Sequence, residues 1–146
     1  MRALVVDDSR TMRRIVAGTL HHLGFATSEA EDGRAALALL ESGLEVDLAC
    51  VDWNMPVMDG LEFVTHVRAG KAWRAITLMM VTTEGEQEQI VRALAAGAHE
   101  YLIKPFSPDA LREKLDLLGL LPMPSAEPAE PAEPAEPADS KVGGAA

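Results

Sequence analysis

Apolar residues along the chain fall into two alternating patterns. Three short runs, Ala3-Leu4-Val5-Val6, Leu48-Ala49-Cys50-Val51 and residues 76–81, are almost wholly apolar. Runs of this kind suit strands buried on both faces of a parallel sheet. Residues 25–29 make a weaker run, consistent with a sheet edge, and Tyr101-Leu102-Ile103 make a fifth strand ended by Lys104-Pro105. Between these runs the spacing is helical. Over residues 9–23, Met12, Ile15, Val16, Leu20 and Leu23 fall on one helix face, and Gly24 follows as a stop. Asp32-Gly33 opens a helix over 34–41, a third is predicted over about 61–68, and Ile90, Val91 and Leu94 pattern a fourth over 86–96. The last helix takes Ser107 as N-cap and Pro108 as first residue, runs through Leu111, Leu115 and Leu118, and stops at Gly119.

Five strands alternating with five helices call for an α/β fold, a parallel sheet covered on both faces by right-handed crossovers. The compact solution is a (βα)5 flavodoxin-like doubly wound sheet of strand order 2-1-3-4-5, occupying residues 1–121. From residue 122 the composition changes. Glu-Pro-Ala recurs four times between Glu127 and Ala138, with proline at every third position. Residues 122–146 are therefore expected to form a disordered acidic tail, extended and polyproline-like, acting as a spacer.

The chain's 146 residues suffice for one domain with a real core, and its net charge is −10. The tail supplies five acids against one base, Lys141, so most of the excess acid lies in the domain. That balance argues against nucleic acid as a partner, since phosphate binding needs clustered Lys and Arg. Cys50 is the single cysteine, which fits a reducing compartment. The first residues run straight into a strand with no signal-peptide pattern, and no run approaches membrane-span length. A cytoplasmic, monomeric protein is expected.

Polar residues collect where the strands end. Asp7 and Asp8 follow the first strand, Asp52 the third, Thr82 the fourth and Lys104 the fifth. In the order 2-1-3-4-5 these four strands are contiguous, and ligands of open α/β sheets bind beyond the strand carboxyl ends. Singly, each residue could be a cap or a solvated strand end. Together they pose a charge problem, because carboxylates crowded at one edge repel by about 4 kcal/mol per pair at 4 Å and an effective dielectric near 20. One lysine does not offset that, whereas Mg²⁺ accepts several carboxylates while keeping its waters. A carboxylate nucleophile, a cation and positioned donors are the equipment for phosphoryl transfer.

The set Asp7-Asp8, Asp52-Trp53-Asn54-Met55-Pro56, Met58-Asp59-Gly60, Thr82 and Lys104-Pro105-Phe106 resembles the receiver domain of two-component response regulators, especially the stand-alone CheY-like chemotaxis type. The resemblance implies that Asp52 accepts phosphate from a histidine kinase. It implies a Mg²⁺ site of Asp8, Asp52 and the Asn54 carbonyl, with Asp7 acting mainly through water. Lys104 would pair with the phosphoryl group, and the Lys104-Pro105 bond would be cis. Thr82 and Tyr101 would form the switch pair, the ring turning inward as the hydroxyl moves to the phosphate. Asn54, Thr83 and Glu84 would tune dephosphorylation. The output would be a changed protein-binding surface around the fourth helix, fifth strand and fifth helix, read by a downstream protein.

On this reading the protein is a signalling module, not an enzyme beyond its own phosphorylation and dephosphorylation. The alternatives are an intermediate receiver in another phosphorelay, an inactive receiver used as a scaffold, and a haloacid-dehalogenase-type phosphatase. The last needs a second Asp two residues past the nucleophile, where this chain has Asn54. Two features depart from the family pattern: the fourth helix opens Glu86-Gln87-Glu88, less basic than in motor-binding members, and Thr83 is bulkier than the usual small residue.

Overall fold

The computed structural model describes residues 1–83 and 85–121. Five parallel strands, β1 (Arg2–Val6), β2 (Ala26–Ala30), β3 (Leu48–Val51), β4 (Thr77–Thr82) and β5 (Glu100–Ile103), form one sheet of order β2-β1-β3-β4-β5. Helices α1 (Arg10–His22), α2 (Gly33–Glu41), α3 (Gly60–Ala69), α4 (Gln87–Ala96) and α5 (Pro108–Leu117) alternate with them. This is the flavodoxin-like arrangement that the alternation predicts. A short 3₁₀ turn, Lys71–Trp73, adds to it ahead of β4.

Helices α1, α2, α3 and α5 start where cap side chains satisfy free N–H groups of the first turn. Ser9 accepts from the Met12 N–H, Asp32 from Ala35 and Ser107 from Ala110. Asp59 and Glu62 close a reciprocal capping box at α3. Strand alternation then splits the core in two. Leu4, Val6, Val51, Leu78 and Met80 face α2 and α3 through Leu37, Leu40, Phe63 and Val64. Val5, Leu48, Cys50 and Met79 face α1 and α5 through Val16, Leu20, Leu111 and Leu115.

The register fixes what meets at the carboxyl edge. Ala30, Val6, Val51, Met80 and Tyr101 pair across the whole sheet in one row. One residue further, Asp7 and Asp52 leave adjacent strands side by side. Thr82 stands two residues beyond Met80, on the same sheet face as Tyr101.

Two expectations about helix faces are corrected. Ile15 is 51% exposed, because the buried stripe of α1 is Val16, Ala17 and Leu20 and Ile15 falls beside it. On α4 only Ala93 is fully buried, and Val91 (57%) and Leu94 (44%) face outward. The strand boundaries shift by one residue at β1, β2, β4 and β5. Phe25 is buried in the turn before β2 instead of lying in it. The predicted tail, 122–146, lies outside the described residues, and no helix among those described is long and apolar enough to cross a membrane.

Candidate functional site

Asp7 and Asp52 are buried at the edge, 3% and 9% exposed, and Thr82 is wholly buried. The Asp52 amide continues the ladder by donating to the Val6 carbonyl at 2.9 Å, and the Asp7 amide donates to Ala30 at 3.1 Å. The strands thus carry their hydrogen bonding one residue past the sheet and hold both aspartates on a rigid base. Lys104 is anchored the same way, its amide donating to the Thr82 carbonyl at 2.8 Å.

Lys104 Nζ lies 2.8 Å from Asp7 Oδ2 and 3.6 Å from Asp52 Oδ2. Its tight pairing is thus with Asp7, whose second oxygen accepts from the Ser9 amide at 2.9 Å. Asp7 is therefore a partner of Lys104; the α1 cap is Ser9. Asp52 Oδ1 accepts from the Trp53 amide at 2.8 Å. Burial pushes the Asp52 carboxyl above the usual carboxylate range. The Lys104 charge opposes that shift, Asp7 reinforces it, and hydrogen bonds from Thr82 and the Trp53 amide oppose it.

Asp8 is exposed beside this pair, and one carboxylate oxygen from each of Asp7, Asp8 and Asp52 lies within 4.8 Å of the others. Three hard oxygen donors converge on one point while one ammonium serves two of them. That donor set fits a hard divalent cation better than it fits an uncompensated cluster.

Asn54 and Thr83 are exposed, Tyr101 is buried at 6% exposure, and the Lys104-Pro105 bond is cis. Glu84 lies outside the described residues.

Four further residues shape the site, of which only Gly60 stands in the motif set read from the sequence. A Cβ on Gly60 would stand 2.2 Å from the Asp52 carbonyl oxygen, and the Gly60 amide donates to Trp53 at 2.8 Å. Only glycine lets α3 begin that close behind the loop that follows Asp52. Val57 has φ 71°, and the Met58 amide closes a three-residue turn onto Pro56 at 2.7 Å. A β-branched residue in the left-handed region is strained. Arg13 donates to the Asp7 carbonyl at 2.8 Å and pairs with Glu29. Arg92, on α4, lies 5.8 Å from the Trp53 ring centroid, a cation–π contact. The Asp59-Gly60 pair was a readable signal for the close approach. Nothing in the sequence marks Arg92, which meets Trp53 only through the packing of α4.

Comparison with known proteins bears on what such a site does. The response regulator receiver domain family matches residues 3–116. The chain is 50% identical over 121 residues to a chemotaxis protein CheY homolog of Campylobacter jejuni, covering 82% of this chain and 93% of that protein. It is 44% identical over 119 residues to chemotaxis protein CheY1 of Helicobacter pylori, covering 81% and 96%. Among solved structures, chemotaxis protein CheY4 of Vibrio cholerae superimposes with a TM-score of 0.74 at 39% identity, covering 80% of this chain and 96% of that one. The receiver domain of a Pseudomonas aeruginosa sensor histidine kinase, with a magnesium ion coordinated in its active-site cleft, gives a TM-score of 0.72 at 27% identity and covers 80% and 94%.

Proposed function

The chain belongs to the response regulator receiver domain family, and from that premise we propose that Asp52 accepts a phosphoryl group from a histidine kinase, in a Mg²⁺-dependent reaction serving chemotaxis. The observation that carries the proposal is the environment of Asp52. It is a buried carboxylate whose affinity for a proton is raised, with Lys104, Thr82 and two further carboxylates around it. Such a group is costly to keep ionised, and its ion pair with Lys104 is the looser of two, because Lys104 pairs more closely with Asp7.

The reacting atom is Asp52 Oδ2, since Oδ1 is engaged by the Trp53 amide. Its lone pair forms the new O–P bond as the P–N bond to the donor histidine breaks, and the imidazole leaves with the bonding electrons. Lys104 Nζ, 3.6 Å from Oδ2, is placed to meet a phosphoryl oxygen while Asp7 holds it in position. The Thr82 hydroxyl, now bonded to Asp52, donates to a second oxygen. Asp8, Asp52 and the Asn54 carbonyl would hold Mg²⁺, with Asp7 through water, and the ion would neutralise developing phosphoryl charge.

Output would follow the Thr82–Tyr101 pair on one sheet face and the surface of α4, β5 and α5. That surface exposes Val91, Leu94 and Ile103, apolar side chains suited to a protein partner. Asn54, Thr83 and Glu84 would set the lifetime of the phosphate by shaping water's approach. A module that takes its phosphate from a histidine kinase in this way would signal in the cytoplasm.

Acetyl phosphate with Mg²⁺ should label the wild type, and EDTA or Asp52→Asn should abolish the label. Equal labelling of the Asp52→Asn variant would overturn the proposal.

A further inference from the structure

Helix α1 is charged against the rest of the molecule. The chain carries a net −10, yet α1 holds three arginines, two histidines in its last turn and no acidic residue. Arg13 is committed to Glu29 and the Asp7 carbonyl. Arg10 and Arg14 are exposed, and neither forms a salt bridge among the described residues. Beside Arg14 runs a shallow, largely apolar groove between α1 and the start of α5, lined by Ile15, Gly18, His22, Leu23 and Pro108. Ile15 is half exposed there, and a Cβ on Gly18 would meet nothing within 4 Å. An apolar trough edged by unpaired cations is the complement of an acidic, proline-rich strand.

Such a strand follows directly. Leu120 and Leu121, like Leu23, pack against the core cluster that α1 and α5 cover, so the described chain ends on that face of the sheet. Residues 127–138 then read Glu-Pro-Ala four times over. We propose that this segment docks along α1 of its own molecule, with proline and alanine in the groove and glutamates toward the arginines and histidines of α1.

The two spacings agree. A polyproline helix has three residues per turn and rises about 3.1 Å per residue, so Glu127, Glu130, Glu133 and Glu136 would align on one edge about 9 Å apart. Along α1, at about 1.5 Å per residue, Arg14 and His21 are roughly 10 Å apart and Arg10 and His22 roughly 18 Å. Those separations are close to one and two glutamate intervals. Reach is sufficient as well: from Leu121 the extended form spans about 19 Å to Glu127 and about 46 Å to Glu136, against about 20 Å for α1. Each ion pair is weak alone, but tethering supplies an effective concentration on the order of millimolar, which favours the same molecule over a second copy. Docking would make the tail a cover for α1 that any acidic partner of that face must displace. It does not depend on phosphorylation of Asp52.

The test uses the full chain with Ala132→Cys carrying a nitroxide, since Cys50 is buried and protected from the label. At low salt the amides of Arg14, Gly18 and His22 should lose about half their intensity relative to the reduced label, as a millimolar effective concentration allows for a contact of millimolar intrinsic affinity. The loss should vanish near 0.5 M NaCl, where the Debye length falls to about 4 Å. It should also vanish when Glu127, Glu130, Glu133 and Glu136 are changed to Gln, and it should survive tenfold dilution. The proposal is overturned if α1 amides broaden no more than those of α3, on the opposite face of the sheet, or if broadening persists in the glutamine variant. Broadening that grows with protein concentration would overturn it too, by assigning a second copy as occupant.

Discussion

Replacing Asp52 with asparagine removes one of two buried carboxylates at the carboxyl edge while keeping the side chain's size. At an effective dielectric near 20, the Lys104–Asp52 attraction at 3.6 Å is worth about 4–5 kcal/mol. Repulsion between Asp52 and Asp7, whose oxygens lie within 4.8 Å, is worth at least about 3 kcal/mol. The two largely cancel, and what remains is the desolvation of a 9% exposed carboxylate, the leading cause of its raised proton affinity. Asp52→Asn should therefore stabilise the domain, by about 1 kcal/mol or roughly 4 °C in Tm. The sign with pH follows from linkage. A carboxyl with a raised folded-state pKa destabilises the fold when ionised, so the variant's advantage is full above that pKa. It fades as the pH falls toward the usual carboxylate value, where both states bind the proton. Thermal melts in EDTA at pH 8 and at acid pH measure this directly. Mg²⁺ should then close the gap from the other side, raising the wild type by about 1.4 kcal/mol at tenfold excess over its Kd and the variant by less. A lower Tm for Asp52→Asn in EDTA at pH 8 would refute the charge reasoning.

Val57→Asn should relieve the left-handed strain at φ 71° and raise stability by about 1 kcal/mol, seen as a higher urea midpoint at unchanged m; a lower midpoint would mean the valine side chain has a structural role. Gly60→Ala puts a methyl 2.2 Å from the Asp52 carbonyl, and should cost more than about 2 kcal/mol and slow phosphorylation by displacing the acceptor loop. A variant of near-native stability would show that the loop yields freely. His99 Nδ1 accepts from the Leu78 amide at 3.1 Å, and burial, aided by the Arg68 charge, lowers its proton affinity. Its stabilising contribution is thus present above the ordinary histidine pKa near 6.5 and is lost as the pH falls through the lower folded-state value. Urea melts between pH 7.5 and about 5 should show a smaller loss for His99→Gln than for wild type; parallel losses would exclude His99 as the cause.

Much of this was legible in the sequence because strand ends are chemically conspicuous in a parallel sheet. Apolar runs that stop at Asp7, Asp52, Thr82 and Lys104 announce both the sheet and the edge where its polar groups meet. What the sequence could not disclose is decided between elements. That Lys104 lies closer to Asp7 than to Asp52 depends on β1–β3 register and the path after β5. The exposure of Ile15, Val91 and Leu94 depends on how α1 and α4 roll against the sheet, which apolar spacing constrains only to within one residue. Arg92 over Trp53 and the strained turn at Val57 arise from packing and loop closure, with no local pattern to signal them.

The central claim is that Asp52, among three neighbouring aspartates, is the acceptor. Reductive trapping with borohydride tests it most directly, because hydride converts an aspartyl phosphate to homoserine at the modified residue. After incubation with acetyl phosphate and Mg²⁺, peptide mass spectrometry should find homoserine at position 52 and unmodified aspartate at positions 7 and 8. Homoserine at Asp7 or Asp8, or none at Asp52 in a protein that still carries label, would contradict the account.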